Sequence, residues 1–183
     1  RLQGHTDIPL NKQGEEEAIK MAKEYFKGVN FAMAFSSDLL RAKRTAQIII
    51  QEKKIALKTT QLLRERDFGP WEGKKVKELE KELRINIKDF RVLADDQLAQ
   101  LRIETNEKVI SRLITFLRET AVAYLGRNVL VVTHGSVMRI FLEKIGYINK
   151  EQSKNLVIEN LGHFILESDG LDFRLKQTVG IFF

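Results

Sequence analysis

The chain has 183 residues, of which 43% are apolar, 31% are charged and none is cysteine, and its net charge is +6. This balance is typical of one globular domain with a real core, and the lack of cysteine excludes disulfides, cysteine nucleophiles and thiolate metal sites. The sequence has no apolar segment long enough to span a membrane and no signal-peptide pattern, and its basic residues are scattered. We therefore expect a cytoplasmic protein that binds a small anion, with no membrane or nucleic-acid partner.

The first part of the chain alternates predicted helices and strands with loops. In chain order, its predicted elements are a loop from Arg1 to Asn11, a helix from Lys12 to Lys27 capped by Asn11, a buried strand from Phe31 to Ser36, a helix capped by Asp38 that runs to about Glu52, an edge strand from Ala56 to Thr59 and a loop from Leu62 to Gly73.

The second part continues this alternation and ends in a hairpin. Its predicted elements are charged helices from Glu72 to Leu83 and from Ile85 to Leu101 with a break near Asp89–Asp96, a long helix from Glu104 to Tyr124, a strand from Val129 to Val132, a helix that carries Val137, Ile140, Phe141 and Ile145, and a hairpin of Phe164–Leu166 and Phe173–Leu175 turned at Asp169-Gly170. Strands separated by helices predict the α/β fold class, a three-layer α/β/α sandwich with a mostly parallel central sheet, in one domain over residues 1–183.

The segment from Val129 to Ser136 is the centre of the functional prediction. Its continuous apolar residues are typical of a strand that is buried on both faces of a parallel sheet. The strand ends at His134, and a helix follows directly. Open α/β folds bind ligands at the carboxyl ends of their strands, and a helix N-terminus favours an anion there. His134 is therefore predicted to lie at a ligand site.

Two other segments carry candidate site residues. Arg41 falls in the first turn of the helix that follows the Phe31–Ser36 strand, where a guanidinium can bind phosphate. Glu65 lies between basic residues and close to Phe68 and Trp71, an environment that can tune a carboxyl group as a proton donor. The alternatives are a surface arginine, and aromatic residues that only fill the core edge while Glu65 pairs with an arginine.

Together these segments resemble the histidine phosphatase superfamily, the phosphoglycerate mutase-like proteins. The resemblance is carried, in family order and spacing, by Arg1–Asn11, Ser37–Ala42, Leu63–Glu65 with Trp71–Gly73, Thr133–Gly135 and Asn160. It implies that a nucleophilic histidine accepts the phosphoryl group, that arginines and a second histidine hold its oxygens, and that a carboxylic acid protonates the leaving oxygen.

Residue by residue, the resemblance implies that Arg41 clamps phosphate, Glu65 is the general acid and His134 is the second pocket histidine. It also implies substrate contacts from Gln3, Gly4, Arg41, Phe68, Gly135 and Ser136. An imidazolium and guanidinium groups would supply the positive charge that phosphoryl transfer needs, so no metal and no cofactor are expected. The expected partner is a small phosphorylated metabolite, and a homodimer is left open.

The sequence departs from the family pattern in two places. The Arg-His-Gly motif that supplies the nucleophile is expected about a dozen residues before Arg1, on a strand whose loss would leave unpaired edges inside the sheet. Arg102-Ile103 stands where relatives have two glycines, which suggests a changed loop over the pocket. The short segment from Lys74 to Ile103 favours a phosphatase. The alternatives are a cofactor-dependent phosphoglycerate mutase and a non-catalytic phosphate-binding relative that lacks the nucleophile.

Overall fold

The computed structural model describes residues 1–183, which fold into five strands and eight α-helices. The strands are β1 (Phe31–Ser37), β2 (Leu57–Thr60), β3 (Asn128–Val132), β4 (Val157–Ser168) and β5 (Phe173–Phe182). The helices are α1 (Lys12–Tyr25), α2 (Leu40–Ile49), α3 (Val76–Leu83), α4 (Ile87–Phe90), α5 (Asp95–Gln100), α6 (Asn106–Ala123), α7 (Gly135–Lys144) and α8 (Lys150–Asn155). None of these helices has the length and hydropathy that crossing a membrane requires.

The central sheet is parallel and has the order β2-β1-β3. Ala34 of β1 is in register with Leu57 of β2 on one side and with Leu130 of β3 on the other. Parallel neighbours need long crossover connections, and the helical segments between the strands provide them. The short edge strand predicted from Ala56 to Thr59 is confirmed as β2, shifted by one residue.

Helices cover both faces of this sheet. On one face, Met21 of α1 and Ile49 of α2 pack with Leu130 of β3. On the other face, Leu113 of α6 and Phe141 of α7 form a second buried cluster that Val131 of β3 contacts. Full burial of such a side chain contributes about 1.5–3 kcal/mol, so these two clusters hold the layers together. The predicted three-layer α/β/α fold with a parallel central sheet is confirmed.

The predicted terminal hairpin is confirmed, and it is longer than predicted. β4 and β5 form a separate antiparallel sheet, and the Asp169 carboxylate accepts hydrogen bonds from two backbone amides in the turn. The ring of Phe164 stacks on Phe141, with 6.0 Å between centroids, which fixes the hairpin against α7. Asn160, one of the residues that carry the resemblance, lies inside β4, because Ile158 already pairs with Ile181.

The strand β3 is less buried than its continuous apolar sequence predicts. It is an edge strand that pairs only with β1, and Val129, Val131 and Val132 are half-buried rather than buried on both faces. The strand β4 pairs only with β5. A cleft of about 1390 Å³ is lined by both strands. Two strand edges without hydrogen-bonding partners therefore border one cavity.

The segment between Leu63 and Thr105 builds a small core of its own. Phe68, Trp71, Leu79 and Phe90 are buried together in it, so the aromatic residues of the 63–73 loop do fill a core edge. The helix predicted from Ile85 to Leu101 is two short helices, α4 and α5, and the break lies inside the predicted interval.

Candidate active site

The cleft that β3 and β4 line also reaches the carboxyl end of β3 and the first turn of α2. Three of the predicted site residues come from segments far apart in the sequence: Arg41 follows β1, Glu65 follows β2 and His134 follows β3. All the predicted site residues line this one cleft, namely Gln3, Gly4, Arg41, Glu65, Phe68, His134, Gly135 and Ser136. Within the cleft, Arg41 is close enough for its charge to act on His134 and for the Glu65 carboxylate to act on Arg41.

Arg41 lies in the first turn of α2 and contacts the N-terminal loop. Its guanidinium donates hydrogen bonds to the carbonyl oxygens of Thr6 and Gly4, at 3.0 and 2.7 Å. Burial lowers the pKa of Arg41 from its usual value, and the Glu65 carboxylate opposes that shift. An arginine keeps its charge in proteins, so a fixed positive charge lies at the edge of the cleft.

The predicted cap of this helix was assigned to the wrong aspartate. The backbone amide of Leu40 donates to the Asp7 carboxylate at 2.7 Å, so Asp7 satisfies the N-terminus of α2. Asp38 instead accepts two hydrogen bonds from the Arg64 guanidinium, at 2.7 and 2.6 Å, which lower its pKa. This paired geometry is one that arginine favours with a carboxylate, and it links the end of β1 to the loop that carries Glu65.

The Glu65 carboxylate accepts hydrogen bonds from two backbone amides. The amide of Arg66 donates at 2.8 Å, and the amide of Ser136, in the first turn of α7, donates at 3.4 Å. Removal of the carboxyl group from water raises its pKa, and the two amides and the charges of Arg66 and Arg41 oppose this shift. A carboxyl group with a raised pKa can hold a proton closer to neutral pH and then donate it.

His134 is the N-cap residue of α7 and is only 8% exposed. Burial, followed by the positive charges of Arg41, Arg112 and His5, lowers the pKa of His134 to about 3. With this pKa the His134 imidazole is neutral at neutral pH in the ligand-free protein. Its Nε2 atom is buried without a hydrogen-bond partner. An orphaned buried polar atom costs about 1–3 kcal/mol, which a hydrogen-bonding ligand would offset.

The N-terminal loop and the 62–73 loop meet at Glu72, whose role the sequence did not reveal. Its carboxylate accepts hydrogen bonds from the His5 amide at 2.7 Å and from the Thr6 hydroxyl at 2.9 Å. Gly4, with φ of 54°, lies so close to Glu72 that a Cβ there would come within 2.0 Å of its Oε1 atom. Only glycine permits this approach.

The carboxylate of Glu104, the residue at which the long helix was predicted to begin, already has its hydrogen-bonding partners. It accepts two hydrogen bonds from the Arg112 guanidinium, at 2.8 and 3.0 Å, and one from the Asp67 amide at 3.1 Å. Arg112 was missed altogether. The available signal was its position on α6 between the buried Val109 and Leu113, where a charged side chain needs a partner.

We expect a bound oxyanion to stabilise the chain against thermal unfolding, more strongly at about pH 5 than at about pH 8. A bound anion opposes the positive charges that now lower the pKa of His134, so the pKa rises on binding. A histidine whose pKa rises on binding takes up a proton, and affinity therefore increases as the pH falls towards the pKa of the free state. Sulfate is the suitable ligand for this test because its charge is constant over this range.

Two variants serve as controls for the sulfate titration. Arg41→Ala should reduce the stabilisation at every pH, since it removes a permanent charge. His134→Gln should reduce the pH dependence of the stabilisation. The pH dependence that remains in this variant measures protonation of Glu65, which also strengthens sulfate binding as the pH falls. An unchanged pH dependence in His134→Gln would contradict the prediction.

Comparison with known proteins relates this geometry to one family. The sequence profile of the histidine phosphatase superfamily (branch 1) matches residues 1–179. The uncharacterized phosphatase PhoE of Bacillus subtilis is 34% identical over 158 residues, which are 86% of this chain and 75% of PhoE. A broad-specificity phosphatase of Saccharomyces cerevisiae is 30% identical over 165 residues, with 85% of this chain and 67% of the yeast protein covered. Other matching proteins are named phosphoglycerate mutases. Among solved structures, YhfR of Bacillus stearothermophilus has a TM-score of 0.83 at 27% identity, over 96% of this chain and 86% of YhfR.

Proposed function

This chain belongs to the histidine phosphatase superfamily, and on that premise we propose that it forms the body of a phosphatase that hydrolyses a small phosphorylated metabolite through a phosphohistidine intermediate. The observation that carries the proposal is the convergence of Arg41, Glu65 and His134 on one cleft from three separate βα segments. A permanent cation, a carboxyl group with a raised pKa and an unsatisfied imidazole nitrogen are the groups that phosphoryl transfer needs.

The proposed reaction proceeds in two displacements. A histidine nitrogen attacks phosphorus, the bond from phosphorus to the ester oxygen breaks, and Glu65 gives its proton to the leaving oxygen. Water then attacks the phosphohistidine while the Glu65 carboxylate accepts a proton from it, and phosphate and the free histidine are released. Arg41 and His134 stabilise the charge on the transferring group in both steps. No step needs a metal, so we propose a metal-independent phosphomonoesterase.

The nucleophile is proposed to come from a strand that lies between β3 and β4. Support comes from the two unpaired strand edges that border the cleft, and from the half-buried Val129 and Val131 along it. Among the histidines of residues 1–183, His5 hydrogen-bonds through Nε2 to the Glu65 carbonyl oxygen, and His163 packs on Tyr25 and Phe26. Neither is placed to exchange a phosphoryl group, so the proposal assigns the nucleophile to a segment outside these residues.

A phosphatase is favoured over a mutase by the segment between the Glu65 loop and α6. That segment folds into a closed core around Leu79, Phe90 and Leu98 and is short. The family resemblance implies that a mutase would have a longer insertion here, with additional basic residues for a second phosphate. The proposed substrate is therefore a small metabolite that carries one phosphate.

The test adds the proposed strand to residues 1–183. The chain is extended at its N-terminus by a short apolar strand that ends in Arg-His-Gly, joined to Arg1 by about a dozen residues, and is assayed with p-nitrophenyl phosphate. We expect turnover that persists in the presence of a chelator and that disappears when the added histidine is replaced by alanine. Phosphorylation of the added histidine should be detectable by mass spectrometry after the reaction is rapidly quenched.

Three outcomes of this assay are informative. Turnover that requires an added metal would contradict the proposed mechanism. Turnover that survives loss of the added histidine would contradict the assignment of the nucleophile. No turnover in a folded, extended chain that is still stabilised by sulfate would identify a phosphate-binding module instead.

A further inference from the structure

The guanidinium of Arg112 uses all five of its N–H donors inside the protein. The Nε and Nη2 groups donate to the Glu104 carboxylate at 2.8 and 3.0 Å. The Nη1 group donates to the carbonyl oxygens of Leu62 and Arg64, at 2.8 and 2.7 Å. The remaining Nη2 donor reaches the carbonyl oxygen of Glu65 at 3.1 Å. The side chains of Arg112 and Glu104 are each only 15% exposed.

These bonds fix one short stretch of main chain from two directions. Arg112 holds three carbonyl groups between Leu62 and Glu65, and Glu104, which it orients, accepts from the Asp67 amide beyond them. The stretch is also held by the Thr133 hydroxyl, which donates to the Leu63 carbonyl oxygen at 2.9 Å. The backbone on both sides of Glu65 is therefore bonded to α6 and to the end of β3.

The position of the Glu65 carboxyl group depends on this backbone. Its oxygens accept from the amide of its own neighbour Arg66 and from the amide of Ser136 across the cleft. Of these two bonds, the one to Ser136 is long at 3.4 Å, so a small shift of the loop breaks it. We propose that Arg112 is a positioning residue for Glu65, which holds the proton donor against the N-terminus of α7 without touching the substrate. This proposal rests on the proposed function for the role of Glu65 and on the geometry for its position.

Lysine cannot replace arginine in this arrangement. Its ammonium group is a single point with three donors, whereas the planar guanidinium reaches three carbonyl groups and both oxygens of one carboxylate. We therefore expect Arg112→Lys to keep the charge and lose the geometry. A displacement of about 1 Å at a catalytic group can cost on the order of 10²-fold in rate.

The test compares Arg112→Lys with the matched exposed substitution Arg118→Lys on the same helix. In the extended chain, Arg112→Lys should lower the rate with an alkyl phosphate by about 10- to 100-fold and change the rate with p-nitrophenyl phosphate little, because only the alkyl leaving group needs protonation. In residues 1–183 alone, NMR of the labelled glutamate carboxyl groups should show the pKa of Glu65 falling towards its ordinary value, as water reaches the loosened loop. Arg118→Lys should change neither quantity.

The two readouts separate the two proposals. The NMR titration needs no turnover, so a shifted Glu65 in a protein that proves inactive supports the positioning role while the proposed function fails. If Arg112→Lys lowers only the unfolding temperature and leaves both the titration and the leaving-group dependence unchanged, the residue is merely structural and the positioning role is overturned.

Should Arg112→Lys not fold, Glu104→Gln keeps the bonds from Arg112 to the backbone and removes the ion pair. Glu104→Gln should shift the pKa of Glu65 and the rate with the alkyl phosphate in the same directions as Arg112→Lys, by smaller amounts. If neither quantity shifts, the proposal is overturned.

Discussion

Replacing Glu65 by glutamine in the extended, active chain is expected to slow hydrolysis of an alkyl phosphate by about 10²–10⁴-fold, the range for loss of a general acid. Glutamine keeps the size of the side chain and an oxygen that can accept from the amides of Arg66 and Ser136, but it carries no transferable proton. The loss should be much smaller with p-nitrophenyl phosphate, whose leaving group needs no proton. The measurement is kcat/KM for both substrates in the wild type and in Glu65→Gln.

The pH dependence gives an independent check of this result. Burial raises the pKa of Glu65, so its proton is retained to higher pH than in water, and the alkyl phosphate rate should fall as the pH rises through that pKa. This falling limb should be absent in Glu65→Gln. Glu107→Gln, an exposed change in the first turn of α6, is the matched control. Equal losses with good and poor leaving groups would make Glu65 a binding or structural residue.

Replacing His134 by alanine is expected to slow both kinds of substrate alike, by about 10²–10³-fold, as for loss of a group that stabilises transition-state charge. The imidazole contacts the transferring phosphoryl group in the proposed mechanism, and that group is common to every substrate. A loss confined to poor leaving groups would contradict this role and would instead make His134 the proton donor. His163→Phe, which keeps an aromatic ring beside Tyr25 and Phe26, should leave both rates close to wild type.

The sequence predicted the elements whose signals are local. The period of apolar residues located α1 and α6 to within a few residues, and the strand endings indicated where Arg41 and His134 would meet. Strand endings carry this information because the carboxyl ends of parallel strands share one edge of a sheet. The roles proposed for the site residues came from the family resemblance, and they stay predictions until the variants are measured.

Three features could not be read from the sequence because they depend on partners that are distant along the chain. Asp7 caps α2 because the N-terminal loop folds back over it, and Asp38, which is adjacent in sequence, is bound by Arg64 instead. The pKa of His134 is low because burial and several cations act on it together. Arg112 reaches carbonyl groups of a loop about fifty residues earlier, and a carbonyl group carries no sequence signal.

The sequence distance between the paired strands of the central sheet determines when the site can form during synthesis. β1 and β2 are separated by one helix, so the pairing of Ala34 with Leu57 is available soon after both strands leave the ribosome. The pairing of Ala34 with Leu130 joins residues almost one hundred positions apart, and His134 lies beyond it. At a synthesis rate of about 5–20 residues per second, Arg41 and Glu65 wait several seconds for their third partner. Contacts of such long sequence separation also form slowly once available. The nascent chain therefore carries the side chains of its candidate site unassembled for most of its synthesis.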